Sequence, residues 1–128
     1  MNLNKTLTQL EKDDWGELSH NSYLIQECHK LRYKPLNKFT VEDLRIMIGQ
    51  KISLDYLIPL ALDILYQNPF VSGDYYNGDL LVVVLKLDKE FWNKNKAFRA
   101  KIDGIIFEVE NIHKTLEKEI IPLIKIGS

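Results

Sequence analysis

Leu54, Leu57, Ile58, Ala61, Leu62 and Leu65 recur at the three- and four-residue spacing of a single helical face. Leu60 and Ile64 widen that stripe, and only Asp55 and Asp63 carry charge between Leu54 and Tyr66. A helix that is apolar around most of its circumference has to be wrapped by others. Residues 54–66 are therefore expected to form a buried central helix. Pro59 falls near the first intrahelical donors, so it is expected to be tolerated there with a slight kink.

The polar positions mark out further helices on either side. Residues 4–12 read as a short helix with Asn4 as its cap, broken by Asp13, Asp14 and Gly16. Asn21 or Ser22 can start the next, with Leu24, Cys28 and Leu31 on its inner face and Pro35 beyond its end. Thr40-Val41-Glu42-Asp43 places a hydroxyl three residues before a carboxylate, a capping box with Asp in place of Glu. Val41, Leu44, Met47 and Ile48 form the stripe that follows, and Gly49 supplies a stop. Ser53 is the cap candidate for the central helix, and Asn68-Pro69 closes it.

Residues 70–78, FVSGDYYNG, form the longest loop. The LLVVVLKL run at 80–87 suits a buried strand, but no nearby segment reads as its pairing partner. A helix capped by Asp79 is the preferred reading. Asp88 begins another short helical turn. Phe98, Ile102, Ile105, Val109, Ile112 and Leu116 then alternate steps of four and three, the pattern of a long amphipathic helix expected to stop at Pro122. The fold class expected is all-α: one domain over residues 1–128, a compact bundle of about five to seven helices around helix 54–66.

Composition agrees with a globular domain: 45% apolar and 27% charged residues leave no disordered signature. A formal net charge of −1 gives no basic footprint for nucleic acid. No apolar run is long enough to span a bilayer, and the N-terminus lacks a basic-then-apolar leader pattern. With Cys28 as the sole cysteine, no internal disulfide can form. Together these point to a cytoplasmic protein. Charge is nonetheless uneven. From Ile52 to Leu85 there are four aspartates and no lysine or arginine, whereas basic residues gather at 30–51 and 86–101.

Catalytic constellations are not found. His20, His29, His113 and Cys28 have no metal-ligand spacing, and Cys28 reads as a core residue rather than a nucleophile. Phosphate- and dinucleotide-binding glycine motifs are missing. No enzyme activity, cofactor or metal is therefore expected. What remains is the acidic turn Asp13, Asp14 and Glu17, and the loop Asp74, Tyr75, Tyr76 and Asp79. These are either ordinary solvated surface, with Tyr76 packed inward and Asp79 capping a helix, or an acidic face for a basic protein partner. Asp13, Asp14, Glu17, Asp74 and Tyr75 are the candidate contact residues.

Four stretches taken in order carry a resemblance: LNKTLTQLEKDDWG, PLNKFTVEDLRIMIGQ, LDYLIPLALDIL, and NPFVSGDYYNGDLLVVVL with FW shortly after. They resemble the immunity proteins of bacterial contact-dependent growth inhibition (CDI) systems, over roughly residues 2–92. Asn77 stands where a proline is expected before Gly78-Asp79. The resemblance implies a binding protein that neutralises a cognate toxin domain, commonly a nuclease, by covering its active site or substrate groove. It implies a 1:1 protein complex; direct contact to nucleic acid or membrane is not expected, and self-association is open but not expected. The matching residues, among them Leu44, Tyr56, Leu57, Pro59, Gly78, Asp79, Leu80 and Trp92, are expected to be structural, with toxin contacts lying elsewhere. The alternative is a helical adaptor that dimerises through its C-terminal helix.

Overall fold

In the computed structural model residues 1–16 and 22–124 are described, and every regular element among them is helical. A single antiparallel bridge, Ser72 to Asn77, closes the long loop. The expected all-α class is thus found, and the 80–87 segment is helical as far as Leu85 rather than a strand. The chain falls into two units, Met1–Leu87 and Asp88–Ser128.

The first unit contains α1 (Leu7–Glu11), α2 (Tyr23–Leu31), a 3-10 turn at Leu36–Lys38, α3 (Val41–Gly49), α4 (Leu54–Gln67) and α5 (Asp79–Leu85). Helix α4 is the expected central element. Leu57, Ile58, Ala61, Leu62 and Leu65 are fully buried, each worth roughly 1.5–3 kcal/mol for the larger side chains. Pro59 lies inside the helix. Helix α3 packs on both α4 and α5. A Cβ on Gly49 would stand only 3.7 Å from Val83 of α5, so the two helices approach closely there.

The caps separate into those that local sequence dictates and those that it does not. Thr40 and Asp43 form the expected reciprocal box, with Asp43 N–H donating to Thr40 Oγ1 at 3.1 Å and Thr40 N–H donating to Asp43 Oδ2 at 3.0 Å. Ser22 caps α2, whose inner face buries Cys28 and Leu31 but leaves Leu24 exposed. Helix α1 starts later than expected. Its cap is Thr6, boxed with Gln9, and Asn4 instead accepts a hydrogen bond from the Asn37 side chain. Ser53 precedes α4 in a left-handed conformation, φ 54°, which turns its hydroxyl away from the helix. That hydroxyl donates to Glu11 Oε1 at 2.9 Å.

The second unit holds α6 (Lys89–Lys94), α7 (Lys96–Thr115) and α8 (Ile121–Ile124). Asp88 caps α6 by accepting the Phe91 N–H at 2.9 Å. Phe91 stacks on Phe98 of α7, and Trp92, Ile102 and Ile105 are buried. The helical path does not stop at Pro122. A π turn, Leu116–Ile120, joins α7 to α8, with the Ile121 N–H reaching the Leu116 carbonyl. The wider turn makes room for a ring that would crowd the carbonyl four residues back in a regular α-helix.

Candidate functional site

The loop between α4 and α5 is held from the inside by two carboxylates. Gly78, at φ 93°, makes the reversal that starts α5 and thereby caps it with backbone alone. The Asp79 side chain is consequently not used as that cap, contrary to the sequence expectation. It points back into the loop and accepts the N–H groups of Gly73 at 2.6 Å, Tyr75 at 3.0 Å and Tyr76 at 3.4 Å. Asp79 is only 2% exposed. Burial pushes its carboxyl up, but the backbone N–H groups of Gly73, Tyr75, Tyr76 and Leu80 together prevail and hold it below the ordinary carboxylate range.

The second carboxylate comes from α3. Glu42 accepts the Asp74 N–H at 3.0 Å and binds Arg45 through two bonds of 2.6 and 2.5 Å. The Arg45 contact is the main reason the Glu42 carboxyl sits low, with burial opposing it and the Asp74 N–H adding to it. Arg45 also lies 3.9 Å from Asp79 Oδ2 and 4.4 Å from the centroid of the Tyr75 ring. The loop therefore does have a compensating cation, which sequence reasoning missed. Arg45 belongs to α3, some thirty residues away, and only its i,i+3 spacing from Glu42 offered a local signal.

Gly73 fits between these groups because it has no side chain. A Cβ there would meet Glu42 Oε1 at 2.6 Å and Asp79 Oδ2 at 3.0 Å. The outcome is a loop fixed at its backbone with its side chains turned outward: Tyr75 is 71% exposed, and Asp74 and Tyr76 are exposed too. Tyr76 is accordingly not packed inward.

The acidic turn after α1 is built around a different cation. Arg32, 2% exposed, donates to Glu11, to Ser53 Oγ at 3.3 Å and to the Asp13 carbonyl at 2.6 Å. Trp15 lies over the Arg32 guanidinium at 4.3 Å. Asp13 thus contributes its backbone to the scaffold and keeps its side chain at the surface. The Asp14 carboxylate accepts the Tyr33 hydroxyl and the Gly16 N–H, and the Tyr33 bond leads in holding its carboxyl low. Glu17 lies outside the described residues. The structure joins Asp74 and Tyr75 into one site. Asp13 and Asp14 belong to a separate cluster beyond the end of α2, where Tyr33 reaches Asp14.

Beside Asp74 and Tyr75 a groove of about 570 Å³ opens between α2, α3 and the loop. Its lining includes Tyr23, Glu27, Glu42 and Asp43. Among the described residues no group of His, Cys, Asp and Glu side chains could hold a metal ion. Burial raises the Cys28 thiol, with Glu27 adding to the effect. No helix among the described residues is long and apolar enough to cross a membrane.

Of the residues expected to be structural, Leu44, Leu57, Gly78, Asp79, Leu80 and Trp92 are buried, whereas Tyr56 and Pro59 are half-buried. No curated protein and no solved structure matches the chain. The family model for CDI immunity proteins matches residues 9–102, a span that contains α2 to α6 and both charged clusters. The chain belongs to the family of CDI immunity proteins.

Proposed function

We propose that this immunity protein neutralises its cognate toxin domain by stoichiometric binding, not by chemistry. It covers the active site or substrate groove of a toxin that is a nuclease, and it acts in the cytoplasm of the producing cell. The observation that carries this reading is the outward display of Asp74 and Tyr75 on a loop whose backbone is pinned by Asp79 and Glu42. Ordering such a loop before contact removes a cost that binding otherwise has to meet.

Electrostatics favour the same assignment. Between Ile52 and Leu85 the exposed charges are Asp55, Asp63 and Asp74, because Asp79 is buried. A nuclease must hold phosphates and presents basic surface to do so. An acidic partner gains association rate and orientation from that complementarity.

The test is co-production with the toxin domain encoded immediately upstream. Growth is expected to be restored, and the two proteins are expected to co-elute as a 1:1 complex from a sizing column. Unrelieved growth arrest with no co-elution would overturn the reading.

A further inference from the structure

We propose that the groove between α2, α3 and the 70–78 loop is the seat for an arginine side chain of the toxin. The inference deepens the functional reading above and rests on it. Three features of the groove converge on this occupant.

Its lining includes two aromatic rings. Tyr23, 75% exposed, and Tyr75 both line it, so each offers ring surface to a visitor. Its polar edge is acidic. Glu27, Glu42, Asp43 and Asp74 line it against one cation, Arg45. Glu42 and Asp43 are committed internally, to Arg45 and to Lys34. The Asp74 carboxylate is exposed, and Glu27 pairs with the exposed Lys30 at 3.5 Å. These two carboxylates are the ones that a partner can address.

The third feature is that the site already holds a guanidinium of its own. Arg45 is clasped by the fork of Glu42 and lies against the Tyr75 ring at 4.4 Å. The combination of carboxylate and tyrosine face is what a planar cation selects, through paired hydrogen bonds and ring contact. Tyr75 is 71% exposed beyond its contact with Arg45, so its ring retains surface for a second guanidinium, and Asp74 and Glu27 share the same lining to receive its donors. Lysine lacks the planar fork and fits this arrangement less well. Carboxylates alone would attract any cation, whereas the groove and its two rings give the visitor a shape.

The experiment uses the full chain and the purified upstream toxin domain carrying an inactivating substitution. Association is measured by stopped flow at low and high salt for the wild type, for Glu27→Lys with Asp74→Lys, for Tyr23→Ala, and for Glu110→Lys as a charge control on the exposed side of α7. Circular dichroism checks that each variant is folded. The double reversal is expected to slow association about tenfold at low salt and to flatten the salt dependence. Tyr23→Ala is expected to raise the dissociation rate at least about fivefold. Glu110→Lys is expected to change neither by more than about twofold. One arginine-to-glutamate change on the toxin is expected to restore binding to the double reversal and to weaken binding to the wild type.

Unchanged kinetics in the groove variants, with the wild type still binding tightly, would overturn the groove assignment and leave the immunity reading standing. Loss of binding by the wild type would remove both. A dimer of the chain alone that the double reversal abolishes would assign the groove to self-association and overturn the proposal as well.

Discussion

The carboxylate of Asp79 accepts the backbone N–H of Gly73 at 2.6 Å, six residues back along the chain. That bond and its neighbours to Tyr75 and Tyr76 make a buried acid the internal support of an exposed loop. Asp79 is the first residue of α5, yet its side chain serves the preceding loop and fixes the backbone on either side of Asp74.

Asp79→Ala leaves the N–H groups of Gly73 and Tyr75 without their acceptor and removes a carboxylate from beside Arg45. The expected cost is about 2–4 kcal/mol of folding stability, measured by urea denaturation. A loss below about 0.5 kcal/mol would mean that the loop is held by other contacts.

Gly73→Ala introduces a methyl group where Glu42 Oε1 and Asp79 Oδ2 lie at 2.6 and 3.0 Å. Both oxygens are tied by hydrogen bonds and neither can swing away freely. Destabilisation of about 1–3 kcal/mol is expected, together with weaker toxin binding. Unaltered binding and stability would show that the carboxylate cage is not tight.

The pH dependence follows from Glu42. Its folded carboxyl lies below the ordinary value of 4.5, chiefly because Arg45 donates to it. A group depressed on folding contributes stability in full above its unfolded value, and that contribution fades as pH falls through the folded value. The stability gap between wild type and Glu42→Gln is therefore expected to be constant from neutral pH to about pH 5.5 and to close in more acid solution. A gap that holds or widens on acidification would contradict the Glu42–Arg45 pairing.

Tyr75 separates binding from folding. Its ring rests on Arg45 and is otherwise exposed, so Tyr75→Ala is expected to cost no more than about 1 kcal/mol of stability. Its effect on toxin affinity is expected to be larger, at least about tenfold in Kd by calorimetry. Equal small effects on both would make Tyr75 a bystander.

Much of this architecture was legible from spacing. The stripe from Leu54 to Leu65 marked α4, and Thr40 with Asp43 marked the start of α3, because both signals lie within a few residues. The helix at Asp79–Leu85 follows from a related reason: with no segment to pair with, a strand there would leave its backbone unsatisfied. Asp74 and Tyr75 were named, but the cause of their display was hidden. Asp79 at the head of a helix reads as a cap, and only the positive φ of Gly78 shows why its side chain is free to turn back. The Arg32 cluster was equally hidden, since its partners Glu11 and Ser53 lie twenty-one residues to either side. Pairings that the fold itself creates leave no mark on a local pattern.

Neutralisation by binding is tested most directly by titrating a fixed amount of active toxin domain with this chain and reading nucleic-acid cleavage. The expected result is a linear fall in activity that reaches zero at one equivalent. Cleavage that persists at excess, or that vanishes at a small fraction of an equivalent, would contradict stoichiometric neutralisation.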